Sequence, residues 1–191
     1  METTENKNNQ EQKADKFKKI RHTIIEYLSC AVAVWVVMAI LFCFILIHAY
    51  VPSESMESTL MTGDRVIGNR LAYKFGNDPE RFDVVIFYAP DEENTLYVKR
   101  VIGLPDETVT IKDGKVYING DSTPLDDSFV NEEMDEEDEM TFHVPEGCYF
   151  MMGDNRNHSY DSRRWDNPYV NKDKIVAKVC FRYWKGFKKI S

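Results

Sequence analysis

Thr108-Val109-Thr110-Ile111-Lys112-Asp113-Gly114-Lys115-Val116-Tyr117-Ile118-Asn119 places apolar side chains at every second position on both sides of an Asp-Gly pair. Alternation with period two is the pattern of a strand that buries one face. Asp-Gly tolerates the positive φ angles that a two-residue hairpin turn demands, so the stretch reads as two strands, 108–112 and 115–119, joined back to back. Runs of the same kind, rich in Val, Ile, Tyr and Phe and set apart by turn residues, recur at 83–89, 97–104, 148–152 and 175–183. No long helical periodicity competes with them downstream of residue 47. The expected fold is mainly β: an all-β domain of antiparallel sheets behind a single apolar helix.

That helix comes from residues 27–47, which carry no charged side chain over 21 positions. As a helix, such a run crosses a hydrocarbon core of roughly 30 Å. Lys13, Lys16, Lys18, Lys19 and Arg21 precede it, against Arg65, Arg70 and Lys74 in a comparable stretch after it. The excess of positive charge places the N-terminus in the cytoplasm and the remainder outside. A removable secretory signal has the same order of features, but its apolar core is about 7–15 residues and ends in a small-x-small site. Here Ala31 and Ala33, which form the only Ala-x-Ala, lie inside the run. The expected organisation is a polar, basic N-terminus at 1–26, disordered over its first dozen residues, a transmembrane helix at 27–47, and an extracytoplasmic domain at 48–191. A single-pass protein of the cell membrane follows.

With 24 basic against 32 acidic residues the chain has a formal charge of −8. Its basic residues gather toward the two ends, which argues against a nucleic-acid face. Between 122 and 139 it becomes strongly acidic without any glycine, so a calcium loop built around a turn glycine does not fit, and a solvated, mobile loop is expected. Cys30 and Cys43 fall in the span. Cys148 and Cys180 lie where a disulfide is chemically permitted, yet both sit in apolar runs that suit buried free thiols, and both readings stay open.

Pro52-Ser53-Glu54-Ser55-Met56 begins just past the span. One hydroxyl there could attack while its neighbour steadies the charge that the attack creates. Ser55 needs a base, and Lys99 in Tyr97-Val98-Lys99-Arg100-Val101 is the leading candidate. On a strand, Lys99 shares a face with Tyr97 and Val101. An unperturbed lysine is neutral in only about one molecule in 2,500 at pH 7, and burial is the means of making it a base. The alternative is an ordinary basic pair, Lys99 with Arg100, at a sheet edge.

Four stretches in order resemble the type I signal peptidases of bacteria, membrane-anchored Ser/Lys endopeptidases. They are Pro52-Ser53-Glu54-Ser55-Met56-Glu57-Ser58-Thr59-Leu60, Gly63-Asp64-Arg65-Val66, Asp83-Val84-Val85-Ile86-Phe87 running on to 97–105, and Gly153-Asp154-Asn155-Arg156-Asn157-His158-Ser159-Tyr160-Asp161-Ser162-Arg163. The resemblance implies that Ser55 is the nucleophile, Lys99 the general base, and Ser53 with the Ser55 backbone N–H the oxyanion hole. Ser159 would orient the Lys99 amine, Asp161 and Arg163 would brace the site, and Asp154, Asn155 and Arg156 would support it. It further implies no metal or cofactor, and substrates that are exported precursors bearing a signal peptide, with small residues at the first and third positions before the cut. Three positions depart from the family's pattern: Ser58 where proline is common, Phe82 where glycine is common, and Asp106-Glu107 where Gly-Asp is common.

Rival readings use other residues. A transpeptidase would employ Cys148 with His143 and Arg156, but an apolar strand with no nearby cation does not activate a thiol. A self-cleaving repressor would share the dyad but have a DNA-binding module in place of the span. At the C-terminus, aromatic and basic side chains interleave over 181–189. The first half is expected to complete a strand, and Trp184, Lys185, Phe187, Lys188 and Lys189 to lie beyond it and favour a lipid headgroup region.

Overall fold

The computed structural model describes residues 2–92, 94–135 and 138–190, so Glu136 and Glu137 of the acidic stretch lie outside the described residues. The chain forms two compact units, residues 1–44 and 45–191. In the first, helix α1 runs over Glu2–Ile45. It starts far earlier than the apolar run, so residues 2–12, expected to be disordered, are helical. Extending an established helix costs little, and Glu, Gln and Lys are good helix formers. One segment, Lys16–Ile45, is long and apolar enough to cross a membrane. Trp35, Phe42 and Phe44 on it are exposed.

The helix also ends two residues short of expectation. Leu46 and Ile47 belong to strand β1 (Leu46–Tyr50), which pairs along its whole length with β2 (Arg65–Asn69). Then come β3 (Val84–Tyr88), β4 (Leu96–Gly103), β5 (Thr108–Lys112), β6 (Lys115–Ile118), β7 (Met140–His143), β8 (Cys148–Met152), β9 (Tyr169–Asn171), β10 (Ile175–Arg182) and β11 (Lys188–Lys189). All pairings are antiparallel. The larger sheet has the order β1-β2-β10-β3-β4-β8-β9 with β11 beside β10, and the smaller has β6-β5-β7. The fold is mainly β, as the hairpin implied. In that hairpin Val109 stands opposite Ile118 and Ile111 opposite Val116.

Three apolar clusters hold the sheets. Val51, Met56, Leu60, Val66 and Val84 pack with Val179 and Ile190. Ile102, Val109, Ile111, Phe150 and Met152 join the two sheets, and Phe87, Val101, Tyr149 and Trp165 fill the third. Ile190 at the end of the chain is thus core, and Lys188 and Lys189 are in a strand, contrary to a tail lying wholly beyond the sheet. Trp184 and Phe187 remain exposed, Trp184 under the Arg65 guanidinium at 5.0 Å and Phe187 stacked on Phe181. Cys148 and Cys180 are free and half-buried on different strands.

The three departures from the family pattern share one feature. Ser58, Phe82 and Asp106 have φ of 90°, 74° and 65°. Glycine adopts that region freely and other residues only at a cost. Proline could not occupy position 58 in this conformation, because its ring fixes φ near −65°.

Candidate active site

Residues 53–60 form a turn in which Met56 and Leu60, both fully buried, fasten the loop to the core while Ser53 stays exposed. The Glu57 N–H donates to the Glu54 carbonyl at 2.8 Å and the Leu60 N–H to that of Met56 at 2.8 Å. Ser55 is thereby held on a fixed support. Its hydroxyl lies 3.3 Å from that of Ser53.

Across the cleft, Lys99 comes from β4, paired with Val85 of β3 just before β8 pairing begins at Arg100; Arg100 is buried and bound to Asp154, so the two do not form an ordinary exposed basic pair. Only 4% of Lys99 is exposed. Its ammonium lies 5.9 Å from the centre of the Tyr97 ring. Burial draws its pKa down from 10.5 to about 8; the charge of Asp161 opposes that shift, Arg163 adds to it, and Asp154 opposes it weakly. Ser55 and Lys99 line one cleft of about 440 Å³ together with Tyr50, Pro52, Ser53, Leu96, His158 and Tyr160. No hydrogen bond joins the two side chains.

The 153–163 stretch wraps behind this pair. The Asn155 N–H donates to the Ser55 carbonyl at 3.2 Å, and Asn155 Nδ2 to the Glu54 carbonyl at 3.2 Å. Gly153 passes so close that a Cβ would sit 2.3 Å from both the Ser55 carbonyl oxygen and Ser159 Oγ. Asp161 is fully buried. Desolvation pushes its pKa up, but bonds from Arg163 at 2.9 and 3.0 Å and from the Gly153 N–H at 3.0 Å outweigh that and hold the carboxyl below its usual range. Ser159 Oγ is buried beside Asp161, close enough to help hold its carboxyl down although it makes no hydrogen bond of standard geometry. Asp154 takes both Nε and Nη2 of Arg100 at 2.8 and 2.7 Å. Arg156 donates from Nε to the Gly153 carbonyl at 3.1 Å. The polar turn that local chemistry alone would have given is therefore a buried scaffold.

Residues that sequence reasoning passed over also reach this scaffold. Asp127 and Phe129 of the acidic stretch touch Arg156 and Arg100, and Met134 is buried, so this stretch is no freely solvated loop over its described part. His143 ends β7 and bonds Thr108 Oγ1 at 3.0 Å. Burial raises the Cys148 thiol pKa. Neither residue lines the cleft, which removes the transpeptidase arrangement.

Residues 24–184 match the family described as "Signal peptidase, peptidase S26". A signal peptidase I of Leptolyngbya laminosa is 39% identical over 143 residues, which cover 71% of this chain and 67% of that protein. One of Bacillus caldolyticus is 39% identical over 159 residues, covering 78% of this chain and 85% of that protein. A solved structure of a signal peptidase I from Enterococcus faecalis has 33% identity and a TM-score of 0.44, covering 53% of this chain and 97% of that one.

Proposed function

Because the chain belongs to the signal peptidase family, peptidase S26, we propose that Ser55 and Lys99 are its catalytic dyad and that its substrates are exported precursors held in a bilayer. The protein is a serine endopeptidase of the signal peptidase I type. One observation carries the assignment of the dyad: a lysine with its amine drawn down to about 8 shares a cleft with a serine that is anchored by its own backbone.

Neutral Lys99 takes the Ser55 proton as Oγ bonds to the scissile carbonyl carbon. The oxyanion accepts from Ser53 Oγ–H and the Ser55 backbone N–H, and losing one such donor typically costs about 10²–10³ in turnover. Collapse breaks the C–N bond, and the Lys99 ammonium protonates the departing amine. Water then attacks the acyl-enzyme, giving its proton to Lys99, and the serine leaves reprotonated. Ser159 and Asp161 hold the amine on its path, and Arg163 holds Asp161.

The substrate path follows from an open edge. Leu96, Tyr97 and Val98 pair with β3 on one side, while β8 pairing begins at Arg100. A precursor's extended segment adds there as a further strand, with alternate small side chains entering the cleft. The helix crosses the cell membrane once with its N-terminus in the cytoplasm, and exposed Trp184 and Phe187 with Lys185, Lys188 and Lys189 meet the lipid headgroups.

The test uses the full chain in membranes with a signal-peptide-bearing precursor. Ser55→Ala, Lys99→Ala and Lys99→Arg should each abolish processing while circular dichroism stays unchanged; arginine stays protonated at every working pH and cannot act as the base. Near-native cleavage by Lys99→Arg would remove lysine from the mechanism.

A further inference from the structure

We propose that residues 127–135 act as a clasp that positions the catalytic scaffold, with Asp127 and Phe129 as positioning residues for cleavage. The inference rests on the Ser55–Lys99 reading above.

Three buried arginines, Arg100, Arg156 and Arg163, hold the scaffold together. Arg100 and Arg163 each have a carboxylate beside them within the site, Asp154 and Asp161. The carboxylate that meets Arg156 comes from the clasp: Asp127 accepts from Nη1 at 2.7 Å and from Nη2 at 2.8 Å. A buried guanidinium without a counter-charge is costly, so Arg156 depends on Asp127 to stay where it is. Arg156 in turn bonds the Gly153 carbonyl, and Gly153 is the residue pressed against the Ser55 carbonyl and Ser159. A connected path thus leads from Asp127 to the nucleophile without touching a reacting atom.

Phe129 lies beneath two of the same cations, with Arg100 at 4.1 Å and Arg156 at 5.7 Å from the ring centre. Its face attracts them and excludes water from them. Its carbonyl accepts from Ser58 Oγ at 2.6 Å, which fastens the clasp to the nucleophile's own turn. Beyond Phe129, Asn157 donates to the Glu133 carbonyl and accepts from the Asp135 N–H, and the Met134 sulfur accepts from Arg163 Nη1 at 3.3 Å. From the other side the β5–β6 turn closes on Met134, whose carbonyl oxygen would lie 2.5 Å from a Cβ on Gly114.

The charged and titratable groups that face Lys99 are Asp161, Arg163 and Asp154 from the scaffold and Tyr97 from its own strand, with Glu54, His158 and Tyr160 lining the same cleft. Desolvation by this packing keeps the amine neutral enough to act. Loosening Gly153 and Ser159 would admit water to Lys99 and raise its pKa, an effect that mere loss of folded protein does not produce.

The experiment measures kcat/KM against pH for the full chain in detergent with a precursor substrate. Asp127→Ala and the isosteric Asp127→Asn should move the rising limb upward by at least half a pH unit and lower kcat/KM at pH 7 about 10- to 100-fold. Asp127→Glu should restore most of both, Phe129→Leu should shift the limb in the same direction, and Glu146→Gln, which removes an exposed carboxylate outside residues 127–135, should change neither. An unshifted limb in both Asp127→Ala and Asp127→Asn, with activity lost only in proportion to folded protein or not at all, overturns the clasp. Ser55→Ala run alongside separates the two ideas: cleavage by that variant refutes the dyad, whereas an unshifted limb with Ser55→Ala inactive refutes the clasp alone.

Discussion

Burial that draws Lys99 down to about 8 must weaken the fold wherever the lysine is charged. Between about pH 8 and the unfolded value of 10.5 the unfolded chain binds more protons than the native one, so stability from this residue rises with pH across that window. Below pH 8 the full cost applies, on the order of 3 kcal/mol. Lys99→Met should therefore be inactive yet more stable than the parent at pH 6, with the difference shrinking as pH climbs past 10. Urea denaturation at the two pH values checks this, and equal stability at pH 6 would contradict it. On the proposed dyad, activity in the parent should rise through about pH 8, because the base acts as the neutral amine. Ser55 and Lys99 were legible as a serine beside the span and a lysine among apolar strand neighbours. Asp127 was not: amid so many carboxylates nothing marks the one that folds inward, and only its buried partner Arg156 distinguishes it.

At the scale of elements, Gly153 joins β8 to the scaffold at a point with no room for a side chain. Gly153→Ala should lower cleavage by at least about 100-fold, because the displaced Ser55 carbonyl carries the proposed nucleophile with it. Wild-type turnover would show that this close approach is unimportant. Asp106 sits exposed in the β4–β5 turn at φ 65°, so Asp106→Gly should raise stability by roughly 1 kcal/mol and leave cleavage unchanged. A lower urea midpoint would count against that strain. The β5–β6 hairpin, β3, β4, β8 and β10 were readable because their apolar side chains alternate or run together between turn residues. The others were hidden for physical reasons. Strand β1 is continuous in composition with the apolar span. Strand β2 is interrupted by Gly68, where a Cβ would press on Ile47, Ala177 and Ile86 at 3.0–3.1 Å. The short strands β7, β9 and β11 have too few residues to show a period and exist through their partners.

At the scale of the molecule, among the described residues none of the three apolar clusters includes one before Ile47. A chain beginning at Leu46 should thus keep its fold and cleave a soluble peptide, whereas one beginning at Val51 loses β1 and should be markedly less stable; thermal denaturation of the two compares them. Trp184→Ser with Phe187→Ser tests lipid contact better than removing the tail, since truncation would also delete Ile190 from the core. Binding of the shortened chain to anionic vesicles should weaken in that double variant, and unchanged binding would exclude these side chains from the contact. The dyad itself is tested most directly by trapping the covalent intermediate. The full chain is mixed with a precursor, quenched in acid within the first turnover, digested and weighed by mass spectrometry. The signal-peptide fragment should be found ester-linked through its C-terminal residue to the peptide that contains Ser55, and it should fail to accumulate in Lys99→Met. An adduct on any other residue, or precursor cleavage that persists in Ser55→Ala, would contradict it.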